Sequence, residues 1–476
     1  MDIFVFSFYN IFIPIPERSE YLLYNVLRGG LCSLSAEEYE EIKKYNSNQF
    51  ITHAQCNDNP LLKLLIDAEF YVDANINEVD EFVKIYNQRR NSAFYSDSAN
   101  ISLTIASSNL CNMACPYCYE FSKDNSILNT TVSKEIANYI KSMIESSCQI
   151  KKWKFLSVTW YGGEPLLGKD AIPELTNYLK TIAVHNGMHY NADIITNGTL
   201  LTKEVWKMLE NNSITNVQVT IDGAQETHDK LRPLKSKKES NYWRIVENLS
   251  MMPKDISLTI RVNVDKKVAA NFSVFLKDLE KHGIWPKRCL NVNIDLAWLR
   301  TYPAAKEEHI SDRIMTSTEW AAYKLQLRKV TIDYYNKWAM ENMGKPGKLR
   351  LNQISTKFND CYTVISPFYF TIDAQGYVYK CWEVIHEKDY RVQHVSELYD
   401  ITKFQKYLNR SRFSTIANDC FICKYLPICD REMCLNNALY TCEDFRNSIN
   451  EELKAQYLMQ LQYPETVIYH SKDINK

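Results

Sequence analysis

The hydrophobic and polar positions between residues 101 and 298 repeat as short apolar runs that alternate with helical stretches. Apolar positions at Val132, Ile136 and Ile140 have helical spacing, Thr202 can cap a helix that ends at Leu209, and a further helix is predicted over 270–282. Six runs have strand character, and they cover 103–107, 155–160, 192–196, 217–221, 258–264 and 292–296. Strands joined by helices predict an α/β fold with a parallel sheet, and six strands are too few for a closed eight-stranded barrel.

Residues 1–95 carry a mixed pattern of strands and helices. Strand-like runs at 3–16 and 21–27 precede the turn signal Arg28-Gly29-Gly30 and a hairpin arm at 31–34. Ser35 can cap a helix at 36–45, and further helices are predicted from Pro60 to Leu65 and over 77–90, with a short strand at 70–72 between them. This pattern favours a small winged-helix-like unit; an extension that only packs against the sheet is the alternative.

The region after residue 298 begins with an aromatic-rich helix at 319–343, whose apolar stripe we interpret as core packing. The stretch Gly344-Lys345-Pro346-Gly347 then breaks the chain, and seven further cysteines follow it. We therefore expect four parts: a unit at 1–95, the α/β region at 98–345, a cysteine-rich domain at 346–450 and a tail at 451–476.

Composition excludes several classes of protein. The 476 residues are 45% hydrophobic and carry a net charge of −1, which supports sizeable cores and argues against a broad nucleic-acid surface. Residues 1–16 lack a basic leader, and no run reaches the roughly 18 apolar residues of a membrane span. We expect a soluble cytoplasmic protein, in which fourteen cysteines indicate metal ligands rather than disulfides.

The most informative motif is Cys111-x3-Cys115-x2-Cys118, which directly follows the first predicted strand of the sheet. Three thiols on one tight loop can bind three irons of a [4Fe–4S] cluster and leave the fourth iron open to a small molecule. A structural metal site that uses the same three thiols is the alternative.

This motif resembles the signature of the radical S-adenosylmethionine (SAM) superfamily, which has an aromatic residue just before the third cysteine, here Tyr117. The resemblance implies an open (β/α)6 partial barrel, similar to part of a TIM barrel. It also implies that the open iron chelates the amino and carboxylate groups of SAM, and that an injected electron cleaves SAM to a 5′-deoxyadenosyl radical, which abstracts a hydrogen from the substrate.

Further segments at the ends of the predicted strands resemble SAM-binding segments of the same superfamily. Gly162-Gly163-Glu164 corresponds to a motif in which the glycines let the backbone approach the methionine ammonium and the glutamate pairs with it; an ordinary Gly-Gly turn is the alternative. By position, Asn197 and Thr220 are SAM-pocket residues, and Arg232 is the partner of the SAM carboxylate. For Asp222, His228 and Asp229 we favour turn and supporting roles over catalysis.

The cysteines after residue 346 resemble the SPASM extension, which holds two auxiliary iron–sulfur clusters. The resemblance assigns Cys361, Cys381 and Cys434 to the first auxiliary cluster, and Cys420, Cys423, Cys429 and Cys442 to the second. Family members with full ligation have an eighth cysteine where this chain has Ile365-Ser366-Pro367, so the first auxiliary cluster can have an open iron. A zinc ribbon is the alternative. Cys32, Cys56, Cys148 and Cys289 are left over, and we expect them to be buried thiols.

Taken together, the resemblance implies a maturase of ribosomally made peptides (RiPPs) with three [4Fe–4S] clusters and SAM as cofactors. The unit at 1–95 would bind the leader of a precursor peptide, as an RRE-like domain does, and flavodoxin or ferredoxin would supply electrons; no nucleic-acid or membrane partner is expected. An open auxiliary iron favours a Cys thioether crosslink, with C–C or C–O crosslinking as the alternative. A sulfatase-maturing activity is a further alternative, but Trp382 follows Cys381 where sulfatase-maturing enzymes have an aspartate, which argues against it. Two alternatives from other functional classes are an electron-transfer protein and a separate peptide-binding module.

Overall fold

The computed structural model describes most of the chain. The described residues are 3–45, 50–52, 55, 58–120, 124–236, 240–300, 313–345, 350–352, 361–415, 418–429, 435, 441–464 and 467–469.

The N-terminal residues form two small antiparallel sheets and associated helices, in the strand orders β5-β1-β6 and β2-β3-β4. The elements are β1 (Ile3–Phe6), β2 (Asn10–Ile15), β3 (Glu20–Asn25), β4 (Leu31–Ser35), α1 (Ala36–Lys43), β5 (Ile51–Thr52), α2 (Pro60–Asp67), β6 (Tyr71–Asp73) and α3 (Glu78–Tyr95). The run predicted as one strand at 3–16 is therefore two strands in different sheets. The break occurs because the buried Glu78 accepts hydrogen bonds from Ser7 Oγ at 2.7 Å and Phe8 N at 2.6 Å, which holds a turn there.

Local signals placed the starts of these helices well. Ser35 caps α1 through a capping box with Glu38, and Asn59 caps α2 by accepting hydrogen bonds from the backbone of Leu61 and Leu62. Helix α3 begins beside its predicted start, with Asn77 as its cap, but continues beyond the predicted end to Tyr95. The sequence predicts the starts of these helices more accurately than their ends, because the capping side chains lie at the N-termini.

The central part of the chain alternates strand and helix, as predicted. Its elements are β7 (Ser98–Ser108), α4 (Thr130–Ser146), β8 (Lys152–Gly162), α5 (Ala171–His185), β9 (His189–Thr196), α6 (Lys203–Asn211), β10 (Ile214–Thr220), α7 (Gln225–Leu231), α8 (Tyr242–Ser250), β11 (Ser257–Val264), α9 (Lys266–Ala270), α10 (Phe272–Lys281) and β12 (Val292–Trp298). Strands β7 to β12 are all parallel to their neighbours and lie side by side in chain order. The α/β fold with six parallel strands is confirmed.

The remaining elements extend this sheet. They are α11 (Ser317–Met343), β13 (Arg350–Asn352), α12 (Tyr362–Ile365), β14 (Tyr369–Ile372), β15 (Tyr377–Tyr379), β16 (Gln393–His394), α13 (Gln405–Leu408), α14 (Arg412–Thr415), α15 (Cys442–Gln462) and β17 (Val467–Tyr469). Strand β14 pairs in parallel with β7, and β15 and β16 follow in antiparallel order. The sheet thus has nine strands with β12 and β16 at its edges, so it is open.

Two apolar cores matter for the functional sites. The larger core lies between the nine-stranded sheet and the helices that cover it. A second core joins β2, β3 and α3 to residues 420–429 and to α15, and its buried members include Tyr9, Ile13, Leu426 and Leu453. Within the described stretches, no helix has both the length and the apolar character needed to cross a membrane.

Candidate functional site

The three cysteines of the first motif lie in the loop that follows the carboxyl end of β7. All three are half-buried, and the backbone N–H of Cys118 donates to the carbonyl of Cys115 at 3.2 Å. Burial raises the pKa of the Cys115 thiol to about 12; Arg232 opposes this shift, whereas Cys118 and Cys111 add to it. The three thiols and the Arg232 guanidinium therefore lie close enough to interact.

The segment after α7 fixes this loop. Ala114 N donates to the carbonyl of Pro233 at 2.9 Å, and Lys235 N donates to the carbonyl of Asn112 at 2.8 Å. Because Arg232 directly precedes Pro233, these two bonds bring the arginine to the cysteine loop. The predicted juxtaposition of Arg232 with the first motif is thus present in the structure.

Tyr117 is held by its hydroxyl group rather than by ring packing alone. The hydroxyl donates to Asp222 Oδ2 at 2.5 Å and accepts from Arg232 Nη1 at 2.6 Å and Asn263 Nδ2 at 3.3 Å. Asp222 also accepts from Asn263 N at 2.9 Å. Burial raises the pKa of both Tyr117 and Asp222, although the nearby Arg232 opposes both shifts. The ends of β7, β10 and β11 are tied together at one phenol oxygen.

His228 fixes the backbone of Asp222 through a hydrogen bond. Its Nδ1 accepts a hydrogen bond from Asp222 N at 3.1 Å, and its Nε2 lies 2.7 Å from Asn241 Oδ1. Burial, followed by the charge of Arg232, lowers the pKa of His228 to about 3, so the ring is neutral at pH 7 with its proton on Nε2. These contacts agree with the supporting role predicted for His228.

The glycines of the Gly162-Gly163-Glu164 segment let two backbones touch. A Cβ at Gly162, whose φ is +118°, would lie 2.2 Å from the carbonyl oxygen of Ser108, and one at Gly163 would lie 2.4 Å from that of Leu110. The end of β8 can press against the segment that leads into the cysteine loop only if both residues lack side chains. This local requirement accounts for both glycines.

Glu164 joins the ends of β8 and β9. Its fully buried carboxylate accepts hydrogen bonds from Leu166 N at 3.0 Å, Thr196 Oγ1 at 2.6 Å and Asn197 N at 2.7 Å. Burial raises its pKa, and these hydrogen bonds oppose the shift. Asn197 in turn donates from Nδ2 to Asn112 Oδ1 at 2.7 Å, which connects β9 to the cysteine loop. Thr220 is buried at the carboxyl end of β10.

The donors at this edge of the sheet fit the binding of an anion. Arg232 Nε is buried and has no hydrogen-bond partner among the described residues, although Nη1 is bound to Tyr117. A buried guanidinium donor without an acceptor is unfavourable, and a carboxylate would satisfy it. The α-carboxylate of SAM has this chemistry, so Arg232 fits the predicted role.

The described thiols do not form a site for a single metal ion. In the part of the chain that the structure describes, no three side chains of His, Cys, Asp or Glu converge on a single metal ion. In a [4Fe–4S] cluster each cysteine ligates a different iron, so the ligands need not converge on one ion.

Two cysteines assigned to the first auxiliary cluster flank a buried lysine that sequence reasoning missed. Cys361 precedes α12, and Cys381 follows Lys380 at the end of β15. Lys380 Nζ donates to the carbonyls of Ser366 and Tyr369, the latter at 2.6 Å. Burial lowers the pKa of Lys380 to about 7, although the charge of Cys361 opposes the shift. A buried amino group that donates two hydrogen bonds thus lies at the stretch where the eighth cysteine is missing.

Strand register separates Cys381 from the first motif. Tyr379 pairs with Thr371, which puts Cys381 level with Tyr369, and Tyr369 pairs with Ser102 of β7. Cys111 lies beyond Ser108, which is six residues further along β7, so the two sites are about 20 Å apart along the strand direction. Cys381 and the Cys111 loop therefore lie at the same sheet but at different positions along its strands.

The cysteines assigned to the second auxiliary cluster gather around short turns and one arginine. Cys423 N donates to the carbonyl of Cys420 at 3.0 Å, and Arg446 Nη2 lies 3.5 Å from Cys423 Sγ. The charges of Cys423 and, more weakly, Cys442 raise the pKa of Arg446. Cys429 is half-buried in the same apolar core as Cys420. Cys434 lies outside the described residues.

The expectation that the leftover cysteines are buried is wrong for Cys148, which is exposed at the end of the loop after α4. Cys32 and Cys289 are half-buried, and burial raises the pKa of Cys32 to about 12. Cys56 lies outside the described residues.

Comparison with known families gives a match for the parallel sheet and the loops at the ends of its strands. Residues 105–263 match the model of the radical SAM superfamily, and this stretch contains the cysteine loop, Glu164, Arg232 and Asn263. The chain contains a radical SAM domain. The resemblance inferred from the motifs is confirmed at this level.

Two curated radical SAM relatives illustrate the extent of the similarity. The radical SAM cyclopropyl synthase TigE of Paramaledivibacter caminithermalis is 24% identical over 255 residues, which are 47% of this chain and 52% of TigE. The chain thus matches about half of the length of TigE. The cysteine-type anaerobic sulfatase-maturating enzyme of Clostridium novyi is 23% identical over 367 residues, which are 75% of this chain and 92% of that enzyme.

A solved structure shares the fold. The structure of native anSMEcpe with bound AdoMet and Cp18Cys peptide aligns with a TM-score of 0.55 and 16% identity, and the alignment covers 76% of this chain and 99% of that chain. At this identity the similarity establishes the fold alone.

Sequence reasoning missed two contributors to the radical SAM site. Asp222 and Asn263 anchor Tyr117, yet neither was given a direct role in the site. Both come directly at or after the carboxyl end of a strand, and that position was the available signal. The lysine at position 380 had no comparable signal, because its burial depends on segments that are distant in sequence.

Proposed function

We propose that this chain is a peptide maturase that uses SAM to abstract a hydrogen from a ribosomally made precursor peptide and installs an intramolecular crosslink. One observation carries the proposal: β14, which leads to the Cys381 hairpin, is hydrogen-bonded to β7, which leads into the Cys111 loop. A cysteine-rich extension built onto the strand beside the radical site supports an oxidation that needs more than one redox centre.

The chain's own residues have definable roles in this reaction. Cys111, Cys115 and Cys118 would hold the cluster, and Arg232 would bind the carboxylate of SAM. The bound cluster would supply the electron that cleaves SAM to a 5′-deoxyadenosyl radical. Asp222, through Tyr117, keeps Arg232 oriented toward this site. Glu164 fixes the ends of β8 and β9 around it. Pairing of its carboxylate with the SAM ammonium is part of the proposal.

The seven cysteines after residue 346 support a redox role beyond SAM cleavage. Cys361, Cys381 and Cys434 would hold a first auxiliary cluster, and Cys420, Cys423, Cys429 and Cys442 a second. The missing eighth ligand leaves the first cluster able to accept a substrate thiolate, which favours a thioether. A thioether joins the peptide sulfur to the attacked carbon, so the peptide would lie between the two sites, with its sulfur toward Cys381 and the attacked carbon toward Cys111.

The N-terminal unit completes the proposal. We divide the chain as the sequence suggested, with a leader-binding unit at 1–95, a radical SAM region at 98–345, a SPASM region at 346–450 and a tail at 451–476. Strands β2, β3 and β4 form an antiparallel sheet to which a leader peptide can add as a further strand. An external flavodoxin or ferredoxin would deliver the electrons.

The test uses reconstituted protein, SAM, a chemical reductant and a synthetic cysteine-containing peptide, chosen from the small open reading frames beside the gene. We expect 5′-deoxyadenosine and a peptide that has lost two hydrogen atoms and no longer reacts with a thiol label. The same mass loss with the thiol still reactive would indicate a C–C or C–O crosslink. Reconstituted protein that leaves SAM intact would refute the proposal.

A sulfatase-type maturase is the second candidate. The similarity to the Clostridium novyi enzyme extends over 92% of that protein, which favours this reading. Trp382 opposes it, because the residue after Cys381 lacks the carboxylate that would act as a base. Conversion of a sulfatase-derived peptide to formylglycine, with no product from the neighbouring peptide, would reverse our ranking.

A further inference from the structure

The N-terminal unit and the cysteines at 420–429 share one apolar core. Ile11 and Ile13 of β2 pack in the same core as Leu426 and Ile428. Lys424 Nζ donates to the carbonyl of Asn10 at 2.9 Å, so the residue after Cys423 is bonded to the residue after Tyr9. The unit is therefore built against the second set of cysteines.

Polar contacts at the rim fix this arrangement. Tyr457 of α15 donates to Glu20 Oε2 at 2.6 Å, and Lys454 pairs with Glu17 at 3.3 Å. On the other side, the backbone N–H of Arg412 donates to the hydroxyl of Tyr86 at 3.0 Å. Contacts on several sides leave the N-terminal unit little freedom to move relative to the cysteines.

Tyr9 is a buried member of this shared core, and its hydroxyl is unsatisfied among the described residues. It is fully buried, and its Oη has no hydrogen-bond partner in the described residues. Burial, together with the charges of Glu78, Cys423 and Glu81, raises its pKa, so the phenol stays protonated. A buried O–H donor without an acceptor is unfavourable, and the thiolate and sulfide sulfurs of a cluster are acceptors.

The Cys423 sulfur already receives one donor. Arg446 Nη2 lies 3.5 Å from Cys423 Sγ, within hydrogen-bonding distance for sulfur. A guanidinium on one side and a phenol from the N-terminal unit nearby provide the polar surroundings that a charged cluster needs in an apolar core.

We propose that the Tyr9 hydroxyl donates a hydrogen bond to a sulfur of the cluster held by Cys420, Cys423, Cys429 and Cys442, and that the N-terminal unit thereby sets the reduction potential of that cluster. This rests on the proposed function, which supplies the second auxiliary cluster. A hydrogen bond to sulfur stabilises the reduced and more negative state of the cluster, so its loss lowers the potential. Tyr9 would change only the reduction potential of this cluster, and it takes no part in hydrogen abstraction.

The experiment compares Tyr9→Phe with its parent in a full-length background where the other two clusters are removed by alanine at Cys111, Cys115, Cys118, Cys361 and Cys381. Redox titration followed by electron paramagnetic resonance reports the remaining cluster. At a fixed potential we expect Tyr9→Phe to decrease the ratio of reduced to oxidised cluster roughly tenfold, or by about 59 mV for one electron, with unchanged iron content.

Tyr71→Phe is the matched control, because Tyr71 is a buried tyrosine of the same unit that packs in a different core. It should leave the potential unchanged. As a second measurement, electron–nuclear double resonance should detect an exchangeable proton near the cluster that is absent in Tyr9→Phe and retained in Tyr71→Phe.

An unchanged potential in Tyr9→Phe, or equal shifts in both variants, would overturn the inference. Failure of the proposed function would be seen in the iron content rather than in the reduction potential. If alanine at Cys420 and Cys423 left the iron content of the background protein unchanged, the second auxiliary cluster itself would be refuted.

Discussion

The two sets of cysteines are organised in opposite ways. Cys111, Cys115 and Cys118 lie on one loop, and hydrogen bonds from the ends of the neighbouring strands hold that loop. Cys420, Cys423 and Cys429 lie among short turns whose apolar side chains are covered by the N-terminal unit and α15. The sheet prepares the first set before any cluster binds, whereas the second set depends on segments from both ends of the chain.

This difference has an energetic consequence. A loop fixed by a sheet gains little further order when a cluster binds to it, so binding and folding are weakly linked. Cysteines on separate segments are brought together by the cluster itself, and part of the binding free energy then becomes folding free energy. Removal of the two clusters should therefore affect stability unequally.

The largest expected effect follows from this inequality. Cys420→Ala/Cys423→Ala should lose about four irons and also make residues 1–95 sensitive to protease, with a fall in unfolding temperature of at least about 5 °C. Cys111→Ala/Cys115→Ala/Cys118→Ala should lose about four irons and keep its protease resistance. Iron analysis, limited proteolysis and thermal melts measure the difference, and equal protease sensitivity would contradict it.

The next largest effect concerns the helix that begins at Cys442. Glu452 of α15 lies between Lys324 at 2.8 Å and Arg328 at 2.5 Å on α11; these two cations outweigh its burial and lower its pKa to about 2. Glu452→Gln would leave two partly buried cations without a counter-ion and should cost about 3 kcal/mol of unfolding free energy in a urea titration.

Glu226→Gln is the control for Glu452→Gln, because Glu226 pairs with Lys230 on the exposed surface of α7. It should give no measurable change in stability. Iron bound by the second set should decrease in Glu452→Gln, and iron bound by the first set should not. A loss of iron from the first set would show that the two regions are less independent than their contacts indicate.

A smaller effect is expected at the first set. Arg232→Ala should weaken SAM binding by about tenfold to a hundredfold, the value of a charge-assisted hydrogen bond, while the iron content stays intact. Isothermal titration under anaerobic conditions measures the affinity. Arg232→Lys keeps the charge but not the paired donors, so it should fall between the parent and the alanine variant. Unchanged affinity in both variants would remove Arg232 from the SAM site.

Measured over a single pH unit, the smallest effect is the pH dependence from His228. The unfolded chain takes up a proton on this residue near pH 6.5, whereas burial prevents uptake in the folded chain until about pH 3. Between these values the unfolded state binds more protons, so stability should fall by about 1.4 kcal/mol for each pH unit of acidification. Urea midpoints at several pH values measure this slope. His228→Asn should have a shallower slope, and an identical slope would exclude His228 as its source.

Much of the fold followed from local pattern. The six parallel strands, the caps at Ser35 and Thr202 and the position of the cysteine loop are as predicted, because strand and helix periods and capping residues act over a few residues. The residues around the first set of cysteines were also found, because parallel strands bring their carboxyl ends to one edge of the sheet.

What the sequence determined by itself was the identity and order of these elements and the chemistry that the cysteines can perform. Only the tertiary structure decided that β14 extends the sheet at β7, that Lys380 is buried against the carbonyls of Ser366 and Tyr369, and that Tyr9 packs in the same core as Cys420 and Cys429. Each of these contacts joins segments far apart in the chain, and their pairing depends on which apolar surfaces and strand edges remain to be covered once the local elements have formed. No short stretch of sequence contains that information.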